Sequence, residues 1–151
     1  MKMTPGLMRF ILNVYPPYLG AGICVKSIAA DWRTIDVAMK LHWYNQNAMR
    51  THFGGSLYSM VDPHLMLMHM QILGEEYLVW DKAAHIEFIR PGKGKVTAHF
   101  HITDDDIEKI FEGLKTKSKV KPEYEVAVID QSAELVAKVT KKLYVRRKKA
   151  L

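Results

Sequence analysis

Between Asn47 and Asp62 the chain carries residue types that could attack a carbonyl. Gly54-Gly55 lets the backbone turn sharply and admits a ligand close to it. The apolar run that follows, 57–73, reads as a helix whose first free N–H groups point at that ligand. Such a helix start stabilises developing negative charge, for instance on the oxygen of an attacked carbonyl. Two turns in, Asp62 is the only carboxylate of this helix before Glu75. Charged residues are almost never fully buried without a partner, so an acid in an apolar helix points to function. Blander readings exist: the glycine pair could permit tight packing, and Asp62 before Pro63 could bond the backbone at a kink.

The flanking sequence supplies the elements that hold this stretch. Thr4-Pro5 predicts a helix start, and Leu7, Phe10, Ile11 and Val14 recur on one face to about Val14. Tyr15-Pro16-Pro17-Tyr18 ends that helix, so 1–19 reads as an N-terminal helix with a proline-rich link. Strands are expected at 23–30 and, from the alternation of Ile35, Val37, Met39 and Leu41, just beyond the 31–34 turn; together they make a hairpin. A polar loop, 43–53, leads into the central helix. That helix is apolar nearly all round and so is wrapped by other structure; Pro63 should bend it and Gly74 closes it. A strand at 78–89 is followed by its expected hairpin partner at 95–102, where Val96, Ala98, Phe100 and Ile102 alternate with polar residues. Thr103 caps a short helix in an insertion, 104–121, and 124–130 with 135–145 form the last hairpin. Leu135, Ala137, Val139, Leu143 and Val145 point inward there. The pattern predicts an α+β fold, a curved antiparallel sheet of about six strands around a long central helix, in a single domain, 1–151.

Composition narrows the classes. With 48% hydrophobic and 25% charged residues the chain reads as an ordinary globular domain. The formal charge is +6, but Arg146-Arg147-Lys148-Lys149 alone carries +4 of it, in a basic tail at 146–151. No aromatic-interleaved basic face accompanies that tail, so no nucleic-acid partner is expected. Asp62, Pro63, His64 and His69 interrupt the 57–73 run, which is also too short to span a bilayer, so no membrane partner is expected either. The single Cys24 and the lack of a signal-like start fit a cytoplasmic protein. His99 with His101, and His64 with His69, lack the spacing or the extra ligands of a metal site, so no metal is expected.

The motif Asn47, five residues, Phe53-Gly54-Gly55, six residues, Asp62 resembles the Asn-x5-His-Gly-Gly-x6-Asp signature of hotdog-fold thioesterases of the phenylacetic-acid-degradation type. The run His85-Ile86-Glu87-Phe88-Ile89-Arg90-Pro91 is similar to their third strand. Thr51-His52-Phe53-Gly54-Gly55-Ser56-Leu57-Tyr58 is closer still to the DUF4442 branch. The resemblance spans roughly 23–145 without the insertion and implies a hotdog fold. It also implies hydrolysis of an acyl-CoA thioester between two subunits of a homodimer, or dimer of dimers (a homotetramer), with no cofactor beyond the coenzyme A of the substrate.

By position, Gly54 matches the glycine whose N–H holds the thioester oxygen. Asp62 matches the general base or nucleophile, supplied from the partner subunit, and Asn47 the residue that orients water or leaving group. Phe53 stands where the family has histidine, with His52 next door as a substitute. Asp81 falls where the family has Ser or Thr. Gly55, Ser56 and Tyr58 complete the lining, with Tyr58, Trp43 and the methionines Met60, Met66, Met68 and Met70 suiting an acyl tunnel. Arg90, Lys93 and Lys95, or Arg146 and Arg147, are candidates for the phosphates of coenzyme A. Phe53 and Asp81 also motivate a second reading, a hotdog protein that binds acyl thioesters or fatty acids without cleaving them. A dehydratase of the same fold needs a catalytic histidine, for which His52 is the only nearby candidate.

Overall fold

Alternating burial along Thr34–Lys40 (β2) and Lys95–His101 (β4) makes these strands the middle of a sheet, since Ile35, Val37, Met39, Val96 and Phe100 are at most 1% exposed. The computed structural model describes residues 2–148. Six strands pair antiparallel in the order β1-β2-β4-β5-β6-β3, the others being β1 (Ile23–Ile28), β3 (Tyr77–Phe88), β5 (Glu123–Ile129) and β6 (Leu135–Arg147). The expected hairpins β1–β2 and β5–β6 form. The expected hairpin of 78–89 with 95–102 does not: β3 pairs along its length with β6, and β4 lies between β2 and β5. Burial explains the difference. β4 buries Val96, Ala98 and Phe100 and belongs mid-sheet, whereas in β3 only Val79 is deeply buried, as suits an edge. The link 89–94 is accordingly a crossing and not a turn. Ile89 N–H and Arg90 N–H donate to Val136 O, His52 N–H donates to Gly92 O, and Leu41 N–H donates to Gly94 O.

The central helix comes in two segments, α3 (Gly54–Ser59) and α4 (His64–Leu73), broken over Met60–Pro63 as Pro63 predicts. Met60 and Pro63 both keep right-handed helical angles, and hydrogen bonds from Met60, Val61 and Asp62 N–H groups carry the turn through. Leu57, Met60, Val61, Leu65 and Met68 fill the concave face of the sheet. Gly74, at φ +84°, ends the helix.

Two features of the N-terminus differ from expectation. Pro16 and Pro17 do not simply stop α1 (Pro5–Val14); they occupy the first positions of α2 (Pro16–Ala21), where a missing N–H is no loss. The apolar face Leu7, Phe10, Ile11 and Val14 is the outward one, while Met8 and Leu12 are buried. The roll of α1 is set by the polar side. Asn13 Oδ1 accepts from Val25 N–H at 2.7 Å, its Nδ2 donates to Val25 O at 3.0 Å, and Arg9 donates to Lys26 O at 3.2 Å. The helix thereby covers the free edge of β1. In the insertion, Thr103 and Asp106 form a reciprocal capping box on α5 (Asp104–Thr116). Of the basic tail, Arg146 and Arg147 close β6; residues 149–151 lie outside the described residues.

Asn13→Ala should remove both bonds to Val25. The expected result is destabilisation by about 1–3 kcal/mol in denaturant unfolding, with faster amide exchange at Val25.

Candidate active site

Phe53 sits at the N-cap of α3 in extended conformation and offers no side-chain acceptor. Ser56 and Leu57 N–H donate to Phe53 O at 3.0 and 3.1 Å, so the helix start leaves the N–H groups of Gly54 and Gly55 without an intrahelical partner. Gly54 forms part of the wall of a cavity of about 580 Å³, together with Asn47, Thr51, His52, Arg90 and Lys93 and the apolar Met49, Leu57, Phe88 and Ile89. Both glycines are held by aromatic rings. A Cβ on Gly54 would lie 3.0 Å from the Phe88 ring, and one on Gly55 would lie 2.5 Å from Phe53.

The residues expected around Gly54 divide. Asn47 lines the cavity, but its amide is engaged in its own loop: Oδ1 accepts from Met49 and Thr51 N–H at 2.9 and 3.1 Å, and Nδ2 donates to Thr51 Oγ1 and His52 O. Arg50, at φ +58°, makes the turn that this ring of bonds closes. His52 is buried; its Nε2 donates to Gly94 O at 2.9 Å, leaving Nδ1 buried without a partner. Burial holds His52 below its ordinary pKa, although the bond to Gly94 pulls the other way, so the ring stays neutral. Phe53 and Ser56 face away, toward a smaller pocket with Tyr44 and Asn45. At the cavity rim Arg90 is paired with Glu134 at 2.8 Å, while Lys93 has no ion pair among the described residues.

Asp62 belongs to a second cluster. It lies eight residues beyond Gly54, about 12 Å along a helix axis. Its Oδ1 accepts from Tyr58 Oη at 2.6 Å and from Lys141 Nζ at 2.9 Å. Lys141 also pairs with Asp81 at 3.0 Å and approaches Tyr58 Oη at 3.3 Å. The lysine side chain is 0% exposed, those of Asp62 and Asp81 46% and 26%. Burial pushes Asp62 up, but its bonds from Tyr58 and Lys141 outweigh this and hold it below the usual carboxylate range. For Asp81 burial prevails over Lys141 and raises the carboxyl. Burial pulls Lys141 down, yet the two carboxylates raise it overall, so it stays an ammonium. Asp81 is thus brought to Asp62, and Tyr58 serves this cluster and not the cavity. Lys141 was absent from the sequence reading, although the signal was there: it takes the inward place between Val139 and Leu143 in a strand of alternating burial.

Other candidates fall elsewhere. Met60 and Met68 are 0% exposed core, Met70 and Trp43 are exposed, and none of the four reaches the cavity. Arg146 and Arg147 lie opposite Leu78 and Tyr77, at the far end of β3 from Phe88, and Arg147 pairs with Glu76. Lys95 sits outside the cavity lining too, in the β4 register beside Lys40. His99 pairs with Asp36 on the exposed face of the sheet. His64 and His69 are fully buried. His69 Nδ1 donates to Leu65 O at 2.7 Å, so Nε2 accepts from Tyr124 Oη, and His64 Nε2 bonds Tyr18 Oη at 3.0 Å. Among the described residues no three metal-binding side chains cluster, and no helix is long and apolar enough to cross a membrane.

A six-stranded curved sheet around a central helix is the hotdog fold. Residues 6–145 match the domain of unknown function DUF4442, and the chain belongs to that family. No curated protein matches. Among solved structures, the chain is similar to a Pseudomonas aeruginosa protein of unknown function called a probable thioesterase, at 15% identity and TM-score 0.83, over 98% of this chain and 99% of that one. It is also similar to a thioesterase from Haemophilus influenzae, at 14% identity and TM-score 0.70, over 97% and 93%. The PaaI protein of the phenylacetic acid degradation operon of E. coli matches at 18% identity and TM-score 0.64, over 95% and 91%.

Burial lowers the pKa of His64 to about 3, against the pull of the Asp62 charge. The native state therefore refuses a proton that the unfolded chain takes up below about pH 6.5, and stability falls with pH through that window. His64→Phe should be less stable than wild type at pH 7.5, because Tyr18 loses its partner, and the gap in melting temperature should narrow as pH drops to 4.5.

Proposed function

We propose that the chain is a thioesterase that hydrolyses an acyl-CoA at a site shared by two protomers. The observation that carries this reading is the uncapped start of α3 at Gly54, opening onto a cavity large enough for a ligand and rimmed by Lys93 and Arg90. The N–H groups of Gly54 and Gly55 would hold the carbonyl oxygen of the thioester and stabilise the tetrahedral oxyanion. Asp62 would take a proton as water attacks the carbonyl carbon. The carbon–sulfur bond then breaks, and the thiolate leaves with that proton, giving acid and thiol; direct attack by the carboxylate is the other route open to Asp62. Lys93 and Arg90 suit the phosphates of coenzyme A.

Asp62 does not line the cavity that Gly54 walls, which supports a two-protomer site. The unpaired edge of β3 offers the contact, with Trp80, Phe88 and Ile89 exposed near it. An antiparallel pairing centred near Ala84 and His85 would set Asp81 of one protomer beside Phe88 of the other, and hence one Asp62 cluster beside the other Gly54. A homodimer, alone or doubled into a tetramer, meets that need. Naming of structural neighbours as thioesterases adds support. An acyl-CoA substrate and a lone thiol at Cys24 suit a cytoplasmic setting.

The test is thiol release from short, long and aromatic acyl-CoAs, with Asp62→Asn beside the wild type. Turnover in the mutant should fall by about 10² or more, the scale of losing one key polar group; full turnover would remove Asp62 from the chemistry. The engaged Asn47 amide favours one rival, binding without cleavage. That reading predicts acyl-CoA binding with no thiol released by the wild type.

A further inference from the structure

A buried ammonium is disfavoured unless matched by opposite charge. Lys141 is matched twice, and by acids from different parts of the chain: Asp62 at the break in the central helix and Asp81 at the bulge in β3. The two carboxylate oxygens that hold it are under about 6 Å apart, a range at which like charges perturb each other strongly. Asp62 Oδ1 takes both the Tyr58 hydroxyl and the Lys141 ammonium, while Oδ2 has no partner among the described residues and the carboxylate is 46% exposed. The acid is anchored by one oxygen and presents the other.

We infer that Lys141 is a positioning residue of the proposed thioesterase site: its buried ammonium anchors Asp62 by Oδ1, aims Oδ2 outward, and keeps Asp62 from sharing a proton with Asp81. The inference rests on Asp62 being the reactive acid. The groups facing Asp62 are Tyr58 from α3, His64 from α4, Asp81 from β3 and Lys141 from β6, with Tyr18 of α2 within electrostatic reach. His64 is neutral and both tyrosines keep their protons, because burial raises each. Among the described residues Lys141 is therefore the only cation of the cluster, and Asp81 the only other acid. With Lys141 present, Asp62 ionises readily and Asp81 holds its proton to higher pH. Without it, the two acids share one proton and Asp62 loses its charge at a pH where the wild type keeps it.

The experiment compares wild type, Lys141→Met, Asp81→Asn and the double variant. Two readouts are taken: the pH profile of kcat for acyl-CoA hydrolysis, and the titration of the Asp62 carboxyl carbon by NMR in the resting protein. In Lys141→Met the Asp62 titration and the acid limb of kcat should move up by about one pH unit or more, a tenfold loss at the foot of the limb. The double variant should recover most of that shift, because no second acid remains to share the proton. Asp81→Asn alone, which keeps the buried lysine paired and folds if Lys141→Met does not, should move the Asp62 titration down. A titration unmoved in both single variants would overturn the proposal, as would a double variant no nearer wild type than Lys141→Met. A lysine that merely filled space would lower stability without moving either profile. If the wild type releases no thiol, the hydrolase reading fails, while the NMR titration still decides the role of Lys141.

Discussion

The apolar surface of the central helix governs this molecule. Leu57, Met60, Val61, Leu65 and Met68 have no polar face to offset them, so the helix is stable only inside something. Six antiparallel strands have one inner face between them, and curving that face around the helix buries both at once. Everything chemical follows from where the helix begins and breaks. Its start lies where Gly54 forms part of the wall of a cavity. Its break at Met60–Pro63 falls in the middle, which turns Asp62 toward β6 and β3.

What was legible in the sequence was what local rules decide. Thr103 with Asp106 marked a helix start, Gly74 a helix end, Pro63 a break, and the alternation in β2, β4 and β6 the inward faces. What was not legible was what distant pairing decides. The stretches at β3 and β4 are adjacent in sequence and both strand-like, so a hairpin was the natural reading. Their different depths of burial, set by neighbours far along the chain, put two strands, β5 and β6, between β4 and the β3 edge. The outward roll of α1 was hidden for a similar reason: Asn13 fixes it by bonding Val25, and periodicity alone cannot say which apolar stripe faces in.

The candidate site shows the same division. Residue chemistry and the motif resemblance pointed to Gly54 and Asp62, and the structure sets the first in a cavity wall and the second in a cluster with Lys141. Spacing could not reveal that Asp62 shares a buried cation with Asp81, because Lys141 is separated from Asp62 by 79 positions. An inward lysine in an apolar strand is nonetheless a visible anomaly. Its charge demands a carboxylate partner, and Asp62 is the acid that the central helix supplies.

The two edges of the sheet are unequal. At β1 the side chain of Asn13 imitates a neighbouring strand, meeting both the donor and the acceptor of Val25, and Arg9 occupies the next carbonyl. At β3 no strand pairs with the outer edge among the described residues. Strand-to-strand growth therefore has one growing end and one terminated end per molecule. Two molecules that join through β3 exhaust both growing ends at once, so the ladder closes on a finite body of twelve strands, with a stopper at each extremity, and has no means of running on into a fibre.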